Sequence, residues 1–353
     1  MRTLHSRDIA LDVMSGMSSS STSSPSEWTG KTVFVTGGTG FVGSHLVDEL
    51  LAQGAMVRCL VRTDPKWLQG LPIETCRGTL HDRPVLEQGV AGVDAVFHMA
   101  ARTRAPERSA FIRDNVEGTD NLMKAVAESD GSPRVVVASS LAAVGRGGRG
   151  IVDESVALEP VSDYGYSKAV MEERLNTWMN ELHLTIVRPP AVYGPRETDI
   201  YTFFQSVARG ICPIVGKGAI PSLSLVHVRD LIQGTLLAAT HPDAVGKTYF
   251  LGGPDQVAWH AVRDAASKAL GRRVLTLPVP RFIVPTVGAV SELAGKLFGS
   301  YPPLNREKAR EILEAALMCS NERAHTELGY APGVDLDTGI RETISWYRGE
   351  GWL

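Results

Sequence analysis

The chain has 353 residues, 43% of them hydrophobic and 21% charged, with a formal net charge of −3, which suits a globular protein able to bury a sizeable core. No basic excess exists to bind nucleic acid, and no run of about 18 apolar residues exists to form a transmembrane helix. The nine histidines and four cysteines fall in no HExxH or CxxC spacing, so no metal is expected.

In chain order, residues 1–28 contain the serine-rich run SGMSSSSTSSPSE and are expected to be disordered. They lack the apolar core of a secretory signal, and the scattered cysteines read as reduced thiols, so a cytoplasmic location is expected. The stretch KTVFVTGGTGFVGSHL (31–46) then organises the rest. Its β-branched run at 32–35 suits a buried parallel strand, and Gly37, Gly40 and Gly43 follow at steps of three before a helix over 41–53. Gly37 permits a tight turn, Gly40 lets backbone N–H groups approach a pyrophosphate, and Gly43 lets the helix lie close on the sheet. A dinucleotide is the expected ligand.

A second strand at 56–61 ends at Arg62, where an acidic residue would bind the adenosine 2′-hydroxyl of NAD(H). Arg62 therefore favours NADP(H), with NAD(H) as the alternative cofactor; the plain reading of Arg62 is a solvated arginine at a strand end. Strands at 73–77, 94–98, 135–138 and 185–187 alternate with helices at 83–90, 106–129 and 163–182. Such alternation implies right-handed crossovers and a parallel sheet covered on both faces. From residue 195 the alternation lapses, with helices expected at 311–317 and 338–347. The division expected is a dinucleotide-binding domain at 29–195 and, at 196–353, a mainly substrate-binding region with some returning sheet elements.

The chemistry is carried by Tyr164-Gly165-Tyr166-Ser167-Lys168, preceded by Ser139-Ser140 at a strand end. Residues i and i+4 share a helix face, so an ammonium at Lys168 is expected to lower the pKa of Tyr164 and make it a general acid/base. Ser140 is placed to orient a carbonyl or hydroxyl. His98 and Asn115 read as structural groups rather than as catalytic ones.

These motifs, TGGTGFVGSHL (36–46), VFHMAA (96–101), NVEGTDNLMKAV (115–126), VVVASSLAAVG (135–145), YGYSK (164–168), RPPAVYGP (188–195) and LVHVRDL (225–231), resemble in order those of the extended short-chain dehydrogenases/reductases, from about residue 29 onward. The resemblance implies an α/β fold: a Rossmann-type doubly wound parallel sheet with a small irregular C-terminal substrate-binding region. It implies Ser140, Tyr164 and Lys168 as the catalytic set, Tyr164 and Lys168 also meeting the cofactor. It further implies cofactor contacts from Gly37, Gly40, Phe41, Val42, Gly43, Leu80, Ala100, Ala101, Pro189 and Val192. The family's acidic residue near the adenine falls at Thr79, which is not acidic.

Among subgroups the chain looks most like dihydroflavonol reductases and 3β-hydroxysteroid dehydrogenases, implying a hydrophobic ketone or alcohol as substrate. A nucleotide-sugar epimerase or dehydratase with bound NAD is a second reading, weakened because the position matching its phosphate-gripping arginine is Leu223. A non-catalytic NADP(H) sensor is a third. The apolar segment 279–298 fits a lid over a greasy pocket, a surface-seeking helix that leaves membrane contact open, or an ordinary packed helix. Relatives often pair through helices like 115–128 and 163–182, which leaves a homodimer open.

Overall fold

The computed structural model describes residues 26–146, 150–216, 218, 222–297, 306–315 and 317–353. Residues 1–25 of the serine-rich segment lie outside the described residues. Trp28, within the segment expected to be disordered, is buried with its ring 5.4 Å from that of Phe97.

Seven parallel strands form the central sheet: β1 (Thr32–Thr36), β2 (Met56–Val61), β3 (Glu74–Arg77), β4 (Ala95–His98), β5 (Arg134–Ala138), β6 (His183–Arg188) and β7 (Lys247–Phe250), in the order β7-β6-β5-β4-β1-β2-β3. Strands buried on both faces need apolar side chains at successive positions. Val33 and Val35 enter one core, where Leu46, Val47 and Leu50 of helix α1 (Phe41–Ala52) cover them. Phe34 enters the other, with Leu86 and Val90 of α2 (Arg83–Val90), Leu122 and Met123 of α3 (Gly118–Ala127) and Met171 and Leu175 of α4 (Asp163–Trp178). The order reverses between β1 and β4, the crevice where ligands of open α/β sheets bind.

The long helix expected over 106–129 is instead broken. A short helix, Arg108–Phe111, opens into a π-helical turn, Ile112–Glu117, before α3. The cause lies in contacts across the fold: the Asn115 amide accepts from Arg102 N (2.7 Å) and donates to Arg102 O (3.0 Å) and Ser167 Oγ (2.9 Å), while Thr119 Oγ1 donates to the Asn115 main-chain carbonyl (2.6 Å). These bonds hold the wider turn in place.

Beyond β6 the chain has more regular structure than its sequence suggests. Strands Ala191–Tyr193, Leu223–His227 and Gln256–Val257 form a small sheet, and Ile211–Val215 pairs in parallel with Leu275–Val279. Helix α5 (Val228–Thr240) lays Leu231, Ile232 and Leu236 on the main sheet. Helices Tyr201–Ala208, Trp259–Leu270 and Leu336–Gly349 enclose a third core around Phe204, Ile214, Leu225, Val262, Ile340 and Tyr347. The helix expected at 311–317 runs Arg306–Glu314 instead, because Met318–Cys319 is drawn into a strand against Ile151–Val152.

Candidate active site

The turn from β1 into α1 is shaped by backbone. Gly37 has a φ of +75°, and a Cβ there would lie 2.5 Å from Ala100 N; a Cβ on Gly43 would strike the Gly37 carbonyl. The Gly40 N–H closes the turn on Gly37 O at 2.9 Å. Helix α1 starts at Gly40 with no side-chain cap, which leaves its first N–H groups, Phe41 and Val42 among them, for an anion. A bare helix start beside a backbone too close for side chains, at the sheet's reversal point, fits a dinucleotide pyrophosphate.

The other expected cofactor contacts are spread around that crevice. Ala100 and Ala101 follow β4, with Ala100 N donating to Thr36 Oγ1 at 3.4 Å. Pro189 follows β6 and accepts from Leu141 N at 2.9 Å; Val192 lies in the next short strand. Leu80 follows β3, and its carbonyl accepts from Asn121 Nδ2 at 3.1 Å. Arg62 is exposed at the end of β2 and has no carboxylate partner among the described residues. At Thr79, where the family's acidic residue is expected, Asp82 accepts from Thr79 N (2.6 Å) and Oγ1 (2.7 Å), so the nearby carboxylate is tied to the loop itself.

Ser140 lies two residues beyond β5 and caps the turn that follows, its Oγ accepting from Ala142 N at 3.1 Å. It shares the cavity wall with Tyr164, on the first turn of α4, and acts to lower the pKa of that phenol. The expected acidification of Tyr164 is not found. Burial pushes the phenol up to about 12, against the lowering by Ser140, and the carboxylates of Glu311 and Asp199 add to the rise. Lys168 shares the face but is turned to the sheet: its Nζ donates to Ala138 O at 2.6 Å, and burial brings it down to about 8 against the opposing pull of Glu172. Tyr164 as it stands holds its proton through the neutral range.

Above this pair opens a cavity of about 980 Å³. Leu141, Val161, Phe203, Leu223, Trp259 and Leu313 give it largely apolar walls, and Asp199, Arg281 and Glu311 supply charge. His98 is buried between Thr36 Oγ1 (2.6 Å) and Thr119 Oγ1 (2.8 Å), and burial drives it down to about 3. It is a neutral structural group.

Residues 33–252 match the NAD dependent epimerase/dehydratase family. The chain belongs to that family. It is 30% identical over 328 residues to a ceramide reductase of Caulobacter vibrioides, covering 91% of this chain and 96% of the relative. It is 31% identical over 322 residues to 4-hydroxy-2-methyl-3-oxo-4-farnesyl-3,4-dihydroquinoline-1-oxide ketoreductase of Stigmatella aurantiaca, covering 87% and 94%. Its fold superposes with a TM-score of 0.71 and 25% identity on the dTDP-glucose 4,6-dehydratase DesIV of Streptomyces venezuelae, solved with NAD bound, over 91% of this chain and 98% of that one. This epimerase/dehydratase-family member is therefore an NAD(P)-dependent oxidoreductase of the extended short-chain type.

Sequence reasoning missed what lies under the site in this family member. Glu172, one turn beyond Lys168, accepts from Ser139 Oγ and from Arg188 Nε (3.0 Å) and Nη2 (2.5 Å), all buried. The i, i+4 spacing from Lys168 was the available signal, but Arg188 reaches Glu172 only through the fold.

Proposed function

We propose that this enzyme is an NADP(H)-dependent ketoreductase for a bulky hydrophobic ketone. The observation that carries the reading is that Ser140 and Tyr164 together line a large, mainly apolar cavity. The two reductases among the relatives, one named for a ceramide and one for a farnesylated ketone, support a lipid-like substrate. Leu223, buried in the cavity wall, offers no guanidinium for a sugar-nucleotide diphosphate.

When bound, the dinucleotide supplies hydride from its nicotinamide to the carbonyl carbon. Ser140 holds the carbonyl oxygen by its hydroxyl hydrogen bond, and Tyr164 donates the proton that turns that oxygen into a hydroxyl. Burial keeps Tyr164 protonated at neutral pH, the form in which it can give up a proton in reduction. Lys168 offsets the phenolate charge left behind and offers its ammonium to the nicotinamide ribose. The exposed guanidinium of Arg62 supports the preference for a 2′-phosphate.

The test is turnover of hydrophobic ketones together with fluorescence titration by NADPH and NADH. Tyr164→Phe is expected to lower kcat by roughly 10²- to 10⁴-fold with NADPH affinity retained. Arg62→Asp is expected to weaken NADPH at least about tenfold and to shift the preference toward NADH. Unaltered turnover in Tyr164→Phe would overturn the assigned chemistry, and a wild-type preference for NADH would overturn the cofactor assignment.

A further inference from the structure

The parallel ribbon formed by Ile211–Val215 and Leu275–Val279 has an unusual outer face. Cys212 and Ile214 point inward and are buried, whereas Ile211, Pro213, Leu275 and Leu277 are exposed, Leu275 to 65%. The outer side of a surface strand is ordinarily polar; here it is apolar throughout. The chain continues through the short turn Arg281–Ile283, with Phe282 80% exposed, into helix Val284–Leu297, where Val284 and Gly288 face inward; Ile283 at the end of the turn and Val287 and Val290 on the helix form an exposed stripe at i, i+4, i+7. A helix docked on a core buries such a stripe; this one presents it outward.

Charge completes the pattern. Residues 272–290 contain three arginines and no Asp or Glu. Arg272, Arg273 and Arg281, with Arg209 beside Ile211, are exposed, and none has a carboxylate partner among the described residues. Arg272 Nη1 and Arg281 Nη2 donate only to main-chain carbonyls, of Ala208 and Leu313. An apolar surface flanked by unneutralised guanidinium groups complements an anionic lipid bilayer, whose headgroups attract the arginines while its acyl boundary receives the apolar side chains.

We propose that this ribbon-and-helix face docks on anionic membrane surfaces. It lies in the interface and does not span the bilayer; among the described residues no helix is long and apolar enough to cross one. The same chain lines the substrate cavity through Val215, Gly216 and Arg281, so docking places the cavity beside the lipid phase. The docking itself does not rest on the hydride-transfer reading.

The experiment is cosedimentation of the full chain with vesicles of phosphatidylcholine alone and of phosphatidylcholine with phosphatidylglycerol. Binding to the anionic vesicles that weakens at high salt is expected. Both Phe282→Ser/Val290→Ser and Arg272→Glu/Arg273→Glu are expected to lose roughly tenfold or more in vesicle partitioning, with unchanged thermal melting. Tyr164→Phe, impaired in turnover, is expected to bind vesicles as wild type does, which separates this proposal from the catalytic one. Wild-type protein that stays in the supernatant with both vesicle types, or surface variants that sediment as wild type does, overturns it. So does a wild-type dimer that ignores vesicles and becomes monomeric in Phe282→Ser/Val290→Ser, since the face then joins two copies of the chain.

Discussion

Beneath Tyr164 and Lys168 the site rests on one buried ion pair. Glu172 and Arg188 are each only a few per cent exposed, and Glu172 also holds Ser139, the neighbour of Ser140. Taking two charges from water is costly, and the mutual attraction offsets that cost only while both partners remain. Glu172→Gln leaves the Arg188 guanidinium buried without its counter-charge, so a loss of about 3 kcal/mol in unfolding free energy is expected, read by denaturant titration. The same change removes the carboxylate that raises Lys168, so the Lys168 ammonium is expected to titrate below its present value of about 8. A variant as stable as wild type would mean that water reaches Arg188 and that the pair is not structural.

At the scale of elements, the β1 turn and α1 act as one unit, since Gly43 on the helix touches the carbonyl of Gly37 at the strand end. Gly43→Ala drives a methyl into that carbonyl, and the only relief is to lift the helix from the strand. NADPH affinity is expected to fall at least about tenfold, with a lowered melting temperature, and isothermal titration reads the first; unchanged affinity would mean that the N–H groups at the start of α1 are not the anion site. This unit was legible in the sequence because its requirements are local: a β-branched run, glycines at fixed offsets and an amphipathic helix. The main sheet was legible for the same reason. The π turn at Ile112–Glu117 was not, because what holds it open is Asn115 reaching Arg102 and Ser167 across the fold. Two-residue strands such as Met318–Cys319 carry no period to read, and they pair with Ile151–Val152, which lies 167 residues earlier in the chain (318 − 151). The spacing of Tyr164 and Lys168 gave their shared helix face but not the burial that raises one and lowers the other.

For the molecule as a whole, pH dependence joins stability to the cofactor end of the sheet. His98 and His227 are buried neutral, brought down by burial to about 3 and about 4 from an ordinary 6.5. As pH falls through 6.5 the unfolded chain takes up protons at both imidazoles while the folded chain does not, so their contribution is full above 6.5 and is lost on the way down to their folded values. Glu197 works the other way. Burial lifts it to about 7, so between its ordinary 4.5 and 7 the folded state holds the extra proton and is favoured as pH falls. The opposition hides each group in the wild-type curve, and a difference between variants exposes one of them. His98→Asn is expected to be less stable than wild type at pH 7.5 because it loses the bridge from Thr36 to Thr119. That deficit is expected to shrink below pH 6.5, by up to about 1.4 kcal/mol per pH unit, in paired denaturant titrations from pH 7.5 to 4.5. Parallel curves would show that His98 protonates as readily folded as unfolded. That in turn requires water beside it at the end of β4, where the Lys168 ammonium already disfavours a second positive charge.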